Sequence, residues 1–158
     1  MLFYTEICLS HLEVPGERNL CIYISGCQNN CSDCHYPELK RNYYGDILKI
    51  NYIDILDLYN FQTTCVCFMG EGKCSEQEKL EFQKYCSIAH SRNLKTCLYS
   101  GRDIDIEEWM QCFDYIKLGS YKAEFGALDS PDTNQRMYKK TTAGYEDITN
   151  MFWTYGEV

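Results

Sequence analysis

Four short runs of β-branched, aromatic and cysteine residues punctuate the chain: LCIYIS (20–25), TTCVCFM (63–69), LKTCLYS (94–100) and FDYIKLG (113–119). Each is closed by glycine or a polar turn, which predicts short buried strands. Between them the spacing of apolar positions lengthens to three or four residues, the period of a helix. INYIDILDLYNF (50–61) carries Ile50, Ile53, Leu56 and Tyr59 at that spacing. In CSEQEKLEFQKYCSIAHSRN (74–93), Ser75 followed by Glu78 predicts an N-cap with a capping box, and Leu80, Tyr85, Ile88 and Ala89 predict the apolar side. DIDIEEWMQCF (103–113) predicts a shorter third helix, and LFYTEICLS (2–10) and YEDITNMFWTY (145–155) predict further strands.

Strands alternating with helices imply a parallel sheet built of βαβ units. One unit takes about 30 residues, and a closed eight-fold barrel takes about 250. The 158 residues therefore suit a single domain of roughly five units. The expected fold class is α/β, a partial, open-sided (β/α) barrel spanning 1–158. Residues 119–144, rich in Gly, Ser, Asp, Asn and Thr, read as a long polar connection, and such connections are often functional.

Composition narrows the class. A chain 45% hydrophobic and 24% charged is ordinary for a soluble globular protein. No apolar run approaches the roughly 18 residues of a membrane span, and MLFYTEICLSHLEVPGERN has no basic n-region or small-residue cleavage site. The expectation is a cytoplasmic protein with no membrane partner. Net charge is −8, from 15 basic and 23 acidic residues, without a basic cluster beyond LKR and KK. Nucleic acid is not an expected ligand.

Eleven cysteines change the picture. With an odd count and no signal peptide, metal or redox chemistry outranks a disulfide framework. Three of them, Cys27, Cys31 and Cys34, follow the first strand run in GCQNNCSDCHYPEL at spacing C-x3-C-x2-C. Gly26 lets the chain leave the strand without a Cβ penalty, and the loop 26–37 can wrap three thiolates around one point. Soft thiolates select zinc, copper(I) or iron–sulfur clusters. Structural zinc takes a second ligand pair, and Cys65 and Cys67 lie within a strand run. A cubane cluster takes one cysteine per iron, so three cysteines leave one iron open to a small molecule. Cys65, Cys67 and Cys74 could hold a second metal or act as small buried hydrophobes.

C-x3-C-x2-C on the loop after the first strand of an α/β sheet resembles the radical S-adenosylmethionine (SAM) enzymes. EVPGERN…GCQNNCSDCHYPEL resembles the smaller activating enzymes of that superfamily. FMGEG (68–72) resembles their G-G-E segment, with Met69 in place of the first glycine, and LYSG (98–101) resembles their Y-T-G. KLGSYKAEFGALDSPDTNQRMYK (117–139), with its N-Q-R, resembles the activases of anaerobic (class III) ribonucleoside-triphosphate reductase.

The resemblance implies that Cys27, Cys31 and Cys34 hold a [4Fe-4S] cluster whose fourth iron is chelated by the amino and carboxylate groups of S-adenosyl-L-methionine. It implies a low-potential electron donor such as flavodoxin or ferredoxin, reductive cleavage to a 5′-deoxyadenosyl radical, and hydrogen abstraction from a glycine of the reductase, the protein partner. Met69, Gly70 and Glu71 would then meet the SAM ammonium. Lys117 would either reach the SAM carboxylate or join a structural ion pair, because an unpaired buried cation is costly. Asp33 precedes the third cysteine, where relatives often carry glycine or an aromatic that contacts adenine; it adds negative charge beside an anionic cluster. His35 either donates to a cluster sulfur or faces solvent, whereas His11 and His90 carry no signal. Asn134, Gln135 and Arg136 either dock a partner or order their loop. Two other functions compete: a radical SAM enzyme acting on a small molecule or peptide, and a non-catalytic iron–sulfur or zinc-binding module.

Overall fold

The computed structural model describes residues 1–26 and 45–154, the last as backbone only. Eight strands form one mixed sheet: β1 (Phe3–Ser10), β2 (Asn19–Ile24), β3 (Asp46–Ile47), β4 (Cys65–Met69), β5 (Lys95–Tyr99), β6 (Tyr115–Leu118), β7 (Arg136–Thr141) and β8 (Gly144–Asp147). Their spatial order is β3-β1-β2-β4-β5-β6-β7-β8. The four central strands, β2, β4, β5 and β6, run parallel, and every other pairing is antiparallel. The chain is thus a mixed α/β domain with an open sheet. Its parallel part has four strands rather than five units, because the last two strands return as an antiparallel ribbon. Among the described residues no helix is long and apolar enough to cross a membrane.

The period-two alternation of the strands separates two faces. One face presents Leu20, Ile22, Ile24, Val66, Phe68, Leu98 and Ile116 to the helices α1 (Leu48–Leu58) and α2 (Glu76–Ser91). Tyr52 of α1 and Phe82 and Tyr85 of α2 surround Phe68, with ring centroids 5.4 to 6.1 Å apart. Each such buried ring contributes about 1.5–3 kcal/mol, so this aromatic cluster is the anchor of the fold.

Helix α2 starts as expected at Ser75, whose Oγ accepts from the Glu78 amide at 3.2 Å. The box does not close on itself: the Glu78 carboxylate instead accepts from the Lys73 amide at 2.8 Å, tying down the preceding loop. The buried stripe is Glu78, Phe82, Tyr85, Cys86 and Ala89, and Leu80 lies outside it, exposed. Phe82, not Leu80, sets the rotational phase, since its larger area wins the contact with the sheet. The expected third helix is a short 3₁₀ turn, Glu108–Cys112. At the C-terminus the expected single strand divides into β8 and a one-turn helix, α3 (Met151–Thr154). The polar connection also contains a strand: β7 occupies 136–141 and buries only Met137.

The other face of the sheet has three layers. At the N-terminal ends of the parallel strands, Glu17 accepts hydrogen bonds from Lys95 Nζ, Tyr115 Oη and Thr64 Oγ1, each at 2.8 Å. Above it runs a row of thiols in register across four adjacent strands: Cys8, Cys21, Cys67 and Cys97. Cys65 Sγ lies 4.0 Å from Cys67 Sγ, and the Cys67 thiol donates to Asn19 Oδ1 at 3.4 Å. Burial pushes the Cys67 thiol well above its ordinary pKa and Cys97 up to about 11. These side chains behave as small hydrophobes on a face with little room. The third layer, Met69, Tyr99 and Lys117 in register at the C-terminal ends, opens into a cavity.

Candidate functional site

The cavity measures about 740 Å³, within the size range of cofactor sites. It sits at the carboxyl ends of the parallel strands, where open α/β sheets bind their ligands. Met69, Tyr99 and Lys117 rise from three neighbouring strands. His11, Leu12, Glu13 and Pro15 of the β1–β2 connection line it as well, as do Leu128, Phe152 and Trp153 from later in the chain. Trp153 Nε1 donates to the Leu128 carbonyl at 3.0 Å, joining the two later segments.

Two of the expected SAM-contact residues come together here, whereas Gly70 and Glu71 are not among the residues that line the cavity. Met69 and Lys117 line the cavity. The Lys117 ammonium is buried, donates to the carbonyls of Gly119 at 2.7 Å and Ser100 at 3.3 Å, and lies 5.7 Å from the centroid of the Tyr99 ring. Gly70 has φ of +122°, and a Cβ there would stand 3.1 Å from the Ile24 carbonyl oxygen. Its amide donates to the Tyr99 carbonyl at 3.1 Å, so the end of β4 is packed between the ends of β2 and β5. Glu71 is nearly buried, and its two carboxylate oxygens accept from Arg102 Nε and Nη2. Its charge is directed at that guanidinium, away from the residues lining the cavity.

Gly26, with φ of +86°, ends the described part of the cysteine loop, and a Cβ there would lie 3.7 Å from the Gly72 backbone. The loop therefore leaves the sheet beside the end of β4. Cys27, Cys31 and Cys34, with Asp33 and His35, lie outside the described residues. Cys74 Sγ is near Arg102 Nη2 at 3.5 Å, well apart in its contacts from the Cys65–Cys67 pair. Among the described residues no group of three or more His, Cys, Asp or Glu is arranged to hold a metal ion. His90 pairs with Asp114 at 2.8 Å on an exposed part of the surface.

Asn134 donates to the Ser120 carbonyl at 2.9 Å and Gln135 to the Gly119 carbonyl at 3.3 Å, while Arg136 faces Asp147 at 3.7 Å. The first two hold the turn after β6, and Gln135 also lines the cavity. Sequence reasoning passed over His11 and left Glu13 without a role. Glu13 accepts the Tyr99 hydroxyl at its carbonyl, and its Oε2 is buried with no hydrogen-bond partner. The available signal was an acid directly before a Pro-Gly-containing turn at the mouth of the first parallel strand.

Compared with known proteins, the chain matches no family model and no curated protein.

Proposed function

We propose that this protein is a radical SAM activase that acts in the cytoplasm on anaerobic ribonucleoside-triphosphate reductase and generates a glycyl radical there. The observation that carries the reading is the C-x3-C-x2-C triplet that follows β2 in the sequence, in a sheet with a cofactor-sized cavity at the carboxyl ends of its parallel strands. On this reading the open sheet is the partial barrel of that superfamily. Its unclosed side would admit a protein loop.

The cavity fits S-adenosylmethionine in volume, in its mainly apolar lining and in its buried unpaired carboxylate oxygen. Cys27, Cys31 and Cys34 would hold the [4Fe-4S] cluster. Bound together, cluster and cofactor supply one-electron reductive cleavage of a carbon–sulfur bond, with the electron drawn from a flavodoxin- or ferredoxin-like donor. The chain's own residues do the positioning. Gly70 lets the β4 end pack against the Ile24 carbonyl, which a side chain there would crowd, beside Met69 on the cavity wall. Lys117, held by two carbonyls, sets a fixed positive charge at the cavity wall. Tyr99 closes the wall between them and fixes the 11–15 segment through the Glu13 carbonyl. Glu71 supports the site through Arg102.

The test is anaerobic reconstitution followed by electron paramagnetic resonance with reductant, SAM and the reductase. About four irons per chain, the content of one cubane, and a glycyl doublet on the partner are expected. Alanine at Cys27, Cys31 or Cys34 should remove most of the cluster absorbance. SAM cleavage without a partner radical would instead favour a small-molecule or peptide substrate. Absence of 5′-deoxyadenosine would leave a non-catalytic iron–sulfur or zinc module.

A further inference from the structure

Buried carboxylates in this protein are consistently satisfied. Glu17 accepts from Lys95, Tyr115 and Thr64. Glu71 accepts from Arg102, and Glu78 from the Lys73 amide. Glu13 breaks this pattern. Among the described residues its Oε2 is the one carboxylate oxygen that is closed off from solvent and lacks a hydrogen-bond partner. Leaving a buried acceptor unpaired costs on the order of 1–3 kcal/mol, and more when it is charged. Glu13 is half-buried as a residue, and a fold that pairs its buried acids tolerates such an unpaired oxygen where function requires it.

Location supplies the function. Glu13 lines the cavity, and its backbone is held there by the Tyr99 hydroxyl and by the buried neighbours Val14 and Pro15. The other carboxylate on the cavity wall, Asp129, is exposed to water. Of the two basic side chains on the wall, His11 is exposed and Lys117 donates to carbonyls of its own surroundings. Glu71, the acid expected to meet a ligand ammonium, is engaged on both oxygens by Arg102. One oxygen of Glu13, a residue of this wall, thus lacks the donor that the buried acids of the fold have.

We infer that Glu13 is the binding partner of a cationic group of the cavity's ligand; this rests on the reading that the ligand is S-adenosylmethionine. That molecule offers two cations, the α-ammonium and the sulfonium. Pairing either with a half-buried carboxylate is worth more than the same contact in water.

Isothermal titration of the anaerobically reconstituted protein, without reductant, tests this. The ligands are S-adenosylmethionine and S-adenosylhomocysteine, which keeps the ammonium and lacks the sulfonium charge. Glu13→Gln should weaken S-adenosylmethionine binding by about tenfold or more. If the ammonium is the partner, homocysteine-analogue binding falls equally; if the sulfonium is, only S-adenosylmethionine loses affinity. Thermal unfolding without ligand gives the second readout. Removing an unpaired buried charge should leave the midpoint unchanged or raise it. Unchanged affinity in Glu13→Gln overturns the inference while leaving the proposed function standing. So does a lowered midpoint, which would make Glu13 a structural acid. If the unaltered protein binds neither ligand, the proposed function falls and this inference with it.

Discussion

Arg102 donates from Nε and Nη2 to the two carboxylate oxygens of Glu71, each at 2.8 Å, and Nη2 also reaches Glu107 at 2.8 Å. This fork joins the loop after β5 to the loop after β4, directly behind the strand ends that form the cavity. Hydrogen bonding to Glu71 holds the Arg102 pKa above its already high ordinary value, so the guanidinium stays charged. Arg102→Ala would leave the Glu71 charge buried and unpaired. The expected cost is about 2–3 kcal/mol, read as a lowered urea midpoint. Arg102→Lys should recover only part of it, since an ammonium cannot make the paired contact. Equal stability of the Lys variant and the unaltered protein would show that charge alone suffices.

Glu17 gives a pH dependence. Burial pushes its pKa up, but the hydrogen bonds from Lys95, Thr64 and Tyr115 outweigh this and leave it below the ordinary 4.5. A carboxyl depressed in the folded state stabilises the protein above its unfolded pKa and loses that contribution as pH falls through the folded one. Glu17→Gln should therefore cost about 2 kcal/mol at pH 7. The gap between variant and unaltered protein should close as pH falls below 4.5. A gap that stays constant down to pH 3 would mean that the carboxylate charge contributes nothing.

Gly70→Val tests the junction of the β2, β4 and β5 ends. Its φ of +122° is poorly accessible to a β-branched residue, and its Cβ would crowd the Ile24 carbonyl at 3.1 Å. A folded but less stable protein is expected by thermal unfolding, and on the proposed function calorimetry should show weakened SAM binding. Loss of stability with full retention of SAM affinity would separate this glycine from the site.

Thiol chemistry should be sharply uneven. Cys112 is half-buried, and a hydrogen bond from the Cys86 thiol lowers its pKa below the ordinary 9.0. Burial raises Cys67, Cys86 and Cys97. Under native conditions at pH 8, iodoacetamide mapped by peptide mass should label Cys112 first among the described cysteines. Cys67 and Cys97 should label only on unfolding.

Sequence reasoning found the elements whose pattern is set locally. The four parallel strands are continuous apolar runs because both their faces are buried, and Ser75 caps α2 through a contact three residues away. It missed β7, whose Arg136, Tyr138, Lys139, Lys140 and Thr141 leave too little apolar signal for a strand buried at Met137 alone. It misplaced the α2 stripe because Leu80 and Phe82 both fit a helical period, and only the position of Phe68 across the interface decides between them. Of the residues that line the cavity, Met69 and Lys117 are among those that could be picked out from motifs. The Arg102 partner of Glu71 and the unpaired acceptor oxygen of Glu13 could not, because both depend on loops brought together by the sheet.

The strand order has a consequence for synthesis. Each strand, as it follows in the chain, joins a free edge of what precedes it: β2 and then β3 flank β1, β4 joins β2, and β5 to β8 extend that edge in turn. Among the described strands none has to be inserted between two already paired. A nascent chain can therefore build this sheet outward in the order in which the ribosome delivers it. Such growth keeps unpaired edges to the current boundary and limits the non-local searching that slows β-rich folds.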